Sequence, residues 1–262
     1  MKAPASAFSL LELLVTLAGI ALVAGVTLPA LQAARNSGAA ARSAGQLRQL
    51  VTANFAYAAD HGTFAPAMDR ANQNRWHGKR TGRAGGSFDP TQGYLSPYLG
   101  QSRTITLCPL LPAHVLKGGS FEQGSGGYGY NATYIGGTPG ESFQPARPVH
   151  LQNLSTTLMF ATTALARSSG LQEYPFAEPY FAPTAEGRPS FSLQPSLHFR
   201  ANGRALVAWC DGRVTAERPA RLGGPNYYGG DNRKQLVGWI GPEQENGFWN
   251  PARSSLSAAL HP

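Results

Sequence analysis

The chain opens with an unbroken apolar stretch, continues with a helical pattern of apolar positions, and then breaks into short apolar runs separated by glycine and proline. From Leu13 to Leu31 there are 19 residues without a charge. As a helix they would span about 28 Å, close to the hydrocarbon thickness of a bilayer. The first pattern therefore predicts one membrane-spanning helix over 8–33.

The helical pattern continues beyond the apolar stretch, over 34–61. Its apolar residues recur at helical spacing and form one stripe that we expect to pack against the rest of the chain: Leu47, Leu50, Val51, Phe55 and Ala58. Gly62 follows the last of them and suits a C-terminal helix cap. Pro29 lacks a backbone donor, so it predicts a kink or a locally melted turn.

The remainder, 62–262, has apolar runs of strand length. We predict strands at 104–107, 128–135, 156–162, 204–210 and 235–240, with long loops at 63–103 and 163–195. Asp211 and Gly212 follow the fourth run and predict a hairpin turn. The expected fold class is α+β, with the long N-terminal helix packed on an antiparallel-sheet head.

Composition and charge qualify this picture in two ways. Hydrophobic residues make up 42% of the 262-residue chain, enough for a folded head with a real core. The net charge is +8, and a basic balance favours nucleic acid, anionic lipid or acidic glycans as partners. The densest basic stretch, 69–83, supplies a candidate anion-binding loop: Arg70, Arg75, Trp76, Lys79 and Arg80. Cations with an aromatic ring can bind a phosphate backbone and stack on a base, although a solvated loop fits the same residues.

Glu12 distinguishes three interpretations of the apolar stretch: a cleaved secretory signal, a plain membrane anchor, and a segment with a function inside the membrane. A secretory signal has a base before its apolar core and small residues at a cleavage site after it, as Ala33 and Ala34 could provide. Glu12 instead places an acid just inside the run. Because an ionised carboxylate in lipid is costly, it marks a functional site with a partner.

The segment AFSLLELLVTLAGIALVAGVTLPAL, residues 7–31, resembles the N-terminal cleavage and methylation segment of type IV prepilins and type II secretion pseudopilins. That family has a small residue, then Phe, then an apolar stretch with Glu as the fifth mature residue and often Pro as the twenty-second. Counting Phe8 as the first residue, Glu12 is the fifth and Pro29 the twenty-second. The residue before the cut is usually Gly, and here it is Ala7.

The resemblance implies a pilin-like fold and a defined processing route. Prepilin peptidase would remove the leader 1–7 by cutting between Ala7 and Phe8, and would methylate the new Phe8 amine. Glu12 of a neighbouring subunit would pair with that amine and set the register between subunits. The implied function is a structural subunit of a type II secretion or type IV pilus-like filament. Its partners would be other pilin or pseudopilin subunits and the assembly platform.

The resemblance also implies a single-pass protein of the bacterial inner membrane, with its head in the periplasm or in a cell-envelope filament. The positive-inside rule by itself favours the opposite orientation, because Lys2 precedes the span and three arginines follow it: Arg35, Arg42 and Arg48.

The head has a second, softer resemblance. ADHGTFAP at 59–66, TLCPLLP at 106–112, GYGYNATYIGG at 127–137 and HFRANGRALVAWCDGRV at 198–214 are similar to a large pseudopilin family. That family has a C-terminal signature of His, nine residues and Asp-Gly. Here Ala201 occupies the histidine position, and His198 lies three residues earlier.

Other residues suggest chemistry only weakly. Cys108 and Cys210 could form a disulfide that closes a loop of roughly 100 residues and contributes about 4–5 kcal/mol, or they could be two buried thiols. Asp231, Glu243 and Glu245 could supply oxygens to calcium. These acids are sparse and interleaved with bases, so we expect no metal site and no cofactor.

No catalytic motif is found. GSGGYG at 124–129 matches Gly-x-Gly-x-x-Gly, but no strand clearly precedes it and no helix follows, so we interpret it as a loop. The sequence has neither a Gly-x-Ser-x-Gly elbow nor a His-Glu-x-x-His pair, and we expect that the protein is not an enzyme. The alternative to a structural subunit is a membrane- or filament-tethered binding module for DNA or another anionic ligand.

Overall fold

The computed structural model describes residues 9–82, 87–111, 115, 122–184 and 188–252. It has a mixed α+β architecture with a long N-terminal helix, α1 (Leu10–His61), and several small antiparallel sheets. The chain divides into two units between Ala39 and Ala40, so that α1 contributes to both.

In the first unit, the large apolar side chains of α1 from Leu10 to Leu31 are exposed. This part of the helix is long and apolar enough to span a membrane. The local melting expected at Pro29 is not observed, since the helix is continuous through it. Proline removes the bond that its own amide would make to the Gly25 carbonyl, and its ring crowds that carbonyl. The helical turns before and after Pro29 are uninterrupted and keep the helix continuous.

In the second unit, α1 buries one face, as the stripe predicts. Leu47, Leu50, Val51 and Ala58 are buried, whereas Phe55 is 38% exposed and contacts Phe64 edge-on at 5.2 Å. Gly62 has a φ of +76°, and its amide donates to the Ala58 carbonyl at 2.8 Å, which confirms the predicted cap.

Asn54 takes the buried position next to Phe55. Its side-chain amide donates to the Tyr130 hydroxyl at 2.9 Å, and its oxygen accepts from the Ala65 amide at 2.9 Å. A polar residue is accommodated here because both of its hydrogen-bonding atoms are satisfied.

The strands of the second unit are short. In chain order they are β1 (Asn74–Arg75), β2 (Gly78–Arg80), β3 (Phe88–Asp89), β4 (Tyr128–Tyr130), β5 (Leu158–Thr162), β6 (Leu165–Arg167), β7 (Gly170–Gln172), β8 (Phe181–Pro183), β9 (Pro189–Ser192), β10 (Leu197–His198), β11 (Ala205–Trp209), β12 (Val214–Glu217), β13 (Arg221–Leu222) and β14 (Val237–Trp239). The main sheet has the order β12-β11-β5-β4, and smaller sheets are β1-β2-β3, β10-β14-β13, β6-β7 and β8-β9. All of these pairings are antiparallel.

Shorter helical turns connect the strands. The 3-10 turns are Pro90–Gln92, Ser96–Tyr98, Pro148–His150 and Leu154–Thr156, and Gln244–Trp249 holds two further turns separated by a kink at 245–247. A π-helical turn, Ala132–Gly136, follows β4, and the Asn131 side chain caps it by accepting from the Tyr134 amide at 3.2 Å.

The main sheet is buried on both faces. Alternate residues of β11 point to opposite sides. Leu206 and Ala208 join a core that contains the α1 stripe, Trp76 and Phe160, whereas Val207 and Trp209 join a second core. The second core is built from large aromatic and aliphatic side chains of later segments: Phe199, Trp239, Ile240, Phe248 and Trp249.

Four predicted strands contain observed ones, namely β4, β5, β11 and β14. The predicted hairpin is confirmed: β11 pairs with β12 across Asp211-Gly212, Gly212 has a φ of +87°, and Asp211 Oδ1 accepts from the Arg213 amide at 2.9 Å. Two predictions need correction. The run 128–135 is a strand only to Tyr130, and 104–107 belongs to no strand. The predicted loops 63–103 and 163–195 contain β1–β3 and β6–β9, which are too short to show an alternating pattern.

Candidate functional site

The start of α1 is closed by its own side chains. The Ser9 amide donates to Glu12 Oε2 at 3.0 Å, and the Leu11 amide donates to Ser9 Oγ at 3.3 Å. This arrangement is a capping box, in which a serine and a glutamate three residues later satisfy backbone donors that the first turn leaves free. The sequence signal for this box is Ser9 followed three residues later by Glu12.

Of the four residues that carry the prepilin register, the structure describes two. Ala7 and Phe8 lie outside the described residues. Glu12 and Pro29 are both exposed on α1 in the first unit. Within the described part of the chain, Glu12 has the Ser9 amide as its hydrogen-bond donor.

The candidate anion-binding loop does not form one surface. Arg75 is 3% exposed and forms a buried, two-pronged ion pair with Glu122. Its guanidinium also lies over the rings of Phe88, at 4.6 Å, and Phe176, at 5.0 Å. A cation that is paired and enclosed in this way holds loops together and is unavailable to an external phosphate.

Trp76 is also part of the interior. It is 0% exposed, and its indole N–H donates to the Pro175 carbonyl at 2.9 Å. Its ring packs against Phe160 at 5.3 Å and Tyr130 at 6.0 Å. The expectation that Trp76 stacks on a base is therefore wrong in this structure. The ring is enclosed by the core, where a large aromatic side chain contributes to stability, and no face of it is open to a ligand.

The other cations of the loop face outward to different degrees. Arg70 and Lys79 are exposed. Arg80 is partly buried, donates from Nε to the Asn72 carbonyl at 3.2 Å, and lies over the Phe88 ring at 4.3 Å. The exposed cations of the predicted site are thus fewer than the sequence suggests.

His77, beside this cluster, is completely buried. Neither of its ring nitrogens has a hydrogen-bond partner in the part of the chain that the structure describes. Burial lowers the pKa of His77 well below its usual value, and the nearby Arg75 lowers it further. The ring is therefore neutral at pH 7 and acts as an aromatic packing group against Phe88, at 5.0 Å.

The glycine-rich loop 124–129 holds an anion from the chain itself. Glu173 Oε2 accepts from the amides of Gly124 at 3.1 Å and Gly126 at 2.9 Å, and from Ser125 Oγ at 3.5 Å. Convergent backbone amides of this kind form an anion-binding nest. Burial raises the pKa of Glu173 in spite of these donors. The loop leads directly into β4, as expected for a structural loop.

At the C-terminal signature, Ala201 is buried in the core. The earlier histidine, His198, is buried and accepts at Nδ1 from Arg200 Nη1, at 3.1 Å. Arg200 also donates to the carbonyls of Thr163, at 3.1 Å, and Gly127. Among the described contacts, His198 therefore helps to orient a buried arginine that ties separate loops together.

Cys108 and Cys210 are both buried free thiols, so the disulfide is not formed. Cys108 lies 3.3 Å from Ser43 Oγ on α1, whereas the Cys210 amide is fixed on the Thr157 carbonyl at 2.9 Å. Burial opposes ionisation of Cys108, but Arg200 and the Ser43 hydrogen bond outweigh it and lower the pKa of this thiol. Burial and Asp211 raise the pKa of Cys210.

Two of the three acids considered for calcium have other partners. Asp231 Oδ1 accepts from the Lys234 amide at 3.0 Å, and Glu243 pairs with Arg221 at 3.3 Å. Within residues 9–252, excluding the segments that the structure does not describe, no three His, Cys, Asp or Glu side chains are grouped to hold a metal ion.

No protein-family model, no curated protein and no solved structure matches this chain. A functional assignment therefore depends on the residues themselves, chiefly those at the start of α1.

Proposed function

We propose that this chain is a pilin-like structural subunit of a type II secretion or type IV pilus-like filament, anchored in a bacterial inner membrane by α1. Prepilin peptidase removes residues 1–7 and methylates the Phe8 amine. The observation that carries the proposal is the register of Ala7, Phe8, Glu12 and Pro29 on a helix whose apolar side chains from Leu10 to Leu31 are uncovered.

The uncovered helix supports this proposal through its extent. Apolar exposure on this scale marks a membrane or protein contact in a folded protein. A filament subunit uses one such helix twice: it lies in lipid before assembly and against other helices afterwards. Packing between helices then covers the surface that lipid covered.

The capping box gives Glu12 a partner before assembly. Cleavage before Phe8 creates a cationic amine one residue from Ser9. A contact with the cationic amine adds the attraction of opposite charges, which a hydrogen bond to a neutral amide lacks. Glu12 therefore exchanges the Ser9 amide of its own chain for the Phe8 amine of a neighbouring subunit during assembly.

Processing is tested by expressing the full chain in bacterial membranes with and without a prepilin peptidase, followed by mass spectrometry of the N-terminus. We expect N-methylated Phe8 only when the peptidase is present. A chain that retains Met1 in the presence of an active matching peptidase would contradict the processing step.

The role of Glu12 is tested by incorporation into sheared filaments. Glu12→Ala should insert in the membrane but assemble poorly. Glu12→Gln retains an oxygen for the capping box and loses the charge, so it separates the two roles: assembly as poor as that of Glu12→Ala supports the ion pair. Glu141→Ala, a change at an exposed acid of the second unit, is the matched control. Normal incorporation of Glu12→Ala would refute the pairing.

The binding-module alternative depended on a basic loop with a stacking aromatic ring. Because Arg75 and Trp76 are buried, the exposed cations within 69–82, the part of this loop that the structure describes, are Arg70 and Lys79. The contacts of this loop favour a structural role over ligand binding.

A further inference from the structure

Glu178 is an enclosed acid with fewer partners than two other enclosed acids of the second unit. Glu122 is paired with Arg75, and Glu173 is bound by backbone amides of the glycine loop. Glu178 Oε1 accepts from the Tyr174 hydroxyl at 2.7 Å, whereas no described residue donates to its Oε2. Burial raises the pKa of Glu178 in spite of the Tyr174 hydrogen bond. A carboxylate placed in this way lacks a counter-charge.

Glu178 lines a cavity of about 800 Å³, which lies within the size range of ligand sites. Phe176, two residues earlier, lines the same cavity. The Tyr174 ring contacts Phe176 edge-on at 5.7 Å, so the side chains of all three residues lie on one side of the segment 174–178. Because Glu178 is partly exposed and its unpaired Oε2 is not fully enclosed, this oxygen is open to the cavity.

Aromatic and thioether side chains form other parts of the wall. Phe143, Phe191 and Met68 line the cavity together with Phe176. Phe191 lies on β9 and is 61% exposed. Aromatic faces attract cations, and the flexible methionine side chain adapts to apolar groups of irregular shape. The wall therefore accommodates an apolar body that carries a positive charge.

The charges of the described lining favour a cation over an anion. Arg70 and Glu141 are both exposed and opposite in sign, so Glu178 gives the lining a net negative charge, although the whole chain has a net charge of +8. A metal ion fits poorly, because no three His, Cys, Asp or Glu side chains are grouped for one in the described residues. A single carboxylate among aromatic rings suits an organic cation.

We propose that this cavity binds a small organic cation, an ammonium group carried on an apolar or aromatic body. The ammonium group donates to Glu178 Oε2 and supplies the counter-charge that this carboxylate lacks. The apolar body packs against Phe191 and Met68. The inference goes beyond the proposed function and does not rest on it, since the described lining lies in the second unit and includes no residue of α1.

The test observes the cavity through methionine methyl groups, by nuclear magnetic resonance of the full chain in detergent micelles. Among the three methionines, Met68 lines the cavity and Met159 is buried in the core. Isotope labelling of the methyl groups and a Met68→Leu variant assign the Met68 signal. Titration with phenethylamine should shift the Met68 signal saturably and leave the Met159 signal in place, because the magnetic effect of an aromatic ring is short-ranged.

Two further probes of similar shape separate charge from shape. Phenylethyl alcohol has a hydroxyl group in place of the ammonium group, and phenylacetate has a carboxylate. Hydrogen bonds between charged groups contribute more than hydrogen bonds to neutral groups. Phenethylamine should therefore bind at least about tenfold more tightly than phenylethyl alcohol. Phenylacetate should bind more weakly than both.

Variants identify the residues that bind the probe. Glu178→Gln retains an oxygen for the Tyr174 hydroxyl but removes the charge, so it should weaken phenethylamine binding about tenfold and leave phenylethyl alcohol binding unchanged. Phe191→Ala should weaken the binding of both probes. Glu217→Gln and Val149→Ala, at an acid and an exposed apolar residue outside the lining, are the matched controls and should bind like the wild type. Unfolding followed by tryptophan fluorescence verifies that every variant is folded.

The absence of a saturable Met68 shift with phenethylamine up to about 10 mM, a concentration suited to a probe of this size, would overturn the inference. Equal binding of the amine and the alcohol, or unchanged affinity in Glu178→Gln, would also overturn it. Tightest binding of phenylacetate would overturn it in favour of an anion at Arg70. These outcomes leave the proposed function untouched, because that function is judged by methylation of Phe8 and by filament incorporation of Glu12→Ala.

Discussion

Leu17 and Leu47 lie on the same helix but differ in the exposure of their side chains. In the first unit Leu17 is 57% exposed, whereas in the second unit Leu47 is 0% exposed. The sequence around them differs in the same way. The first stretch is apolar on all faces and finds no cover within its own unit, and the second has one apolar stripe that the core covers. A helix that is apolar on all faces needs apolar surroundings on every side, whereas a striped helix needs them on one side only.

Two glutamates repeat the contrast. Glu12 is exposed and bonded to a backbone amide in its own first turn. Glu122 is buried and paired with the Arg75 guanidinium, which is itself enclosed by aromatic rings. Removing the Glu12 carboxylate leaves the Ser9 amide at the start of α1 without its acceptor. Removing the Glu122 carboxylate leaves the buried Arg75 guanidinium without its counter-ion.

The largest expected effect therefore comes from Glu122→Ala. Leaving Arg75 unpaired should lower the free energy of unfolding of the second unit by about 3–5 kcal/mol. The measurement is denaturant unfolding in micelles followed by tryptophan fluorescence, since Trp76, Trp209, Trp239 and Trp249 all lie in that unit. Glu12→Ala is the matched control and should leave this transition unchanged.

A double variant separates the ion pair from the space it fills. Arg75→Met with Glu122→Leu replaces both charges by apolar groups, and buried pairs exchanged in this way often lose little stability. The double variant should be more stable than Glu122→Ala alone. Equal stability of Glu122→Ala and wild type would show that Arg75 is not dependent on this carboxylate.

The leucines test the contrast directly, with a somewhat smaller effect. Leu47→Ala should destabilise the second unit by about 2–5 kcal/mol through lost burial and a residual cavity. Leu17→Ala, the same change on an uncovered face, should shift that transition by less than about 0.5 kcal/mol. Similar shifts for the two variants would contradict the link between the burial of each leucine and its contribution to the stability of the second unit.

The sequence predicted what depends on local pattern. The α1 stripe, the Gly62 cap and the Asp211-Gly212 hairpin follow from spacing and from turn chemistry, and the structure has all three. It did not predict the fates of Arg75 and Trp76, because their partners Glu122 and Pro175 are distant in the chain. In the sequence, a cluster of cations suggests an exposed basic surface, and the distant acid that pairs with one of them is not apparent.

The strand prediction at 104–107 was wrong for a related reason. The β-propensity of its residues indicates whether a segment suits a pleated sheet. Forming a strand also requires a neighbouring strand with which the segment can pair. In the described structure the segment 104–107 has no neighbouring strand. The short strands β1–β3 form within a predicted loop because each of them has a neighbouring strand to pair with. Glu173 was missed similarly, since the glycine loop gave no sign of which anion its amides hold.

The smallest predicted effect concerns Glu173. Backbone amides bind its carboxylate, whereas a guanidinium binds the carboxylate of Glu122. Burial raises the pKa of Glu173 in the folded protein above its usual value. A raised carboxyl pKa means that the folded state binds the proton more tightly than the unfolded state. Its contribution to stability is therefore fully present at low pH, below the unfolded value of about 4.3, and is lost as pH rises through the folded value.

Glu173→Gln retains an oxygen for the Gly124 and Gly126 amides and does not titrate. Relative to this variant, the wild type should be more stable near about pH 4 than near about pH 7 in the same fluorescence measurement. Glu173→Leu removes the acceptor and should be destabilised by about 1–3 kcal/mol at both pH values, because the amides lose their partner. If the stability difference between wild type and Glu173→Gln is constant across this range, the amides of the glycine loop stabilise the carboxylate enough to cancel the cost of burying it.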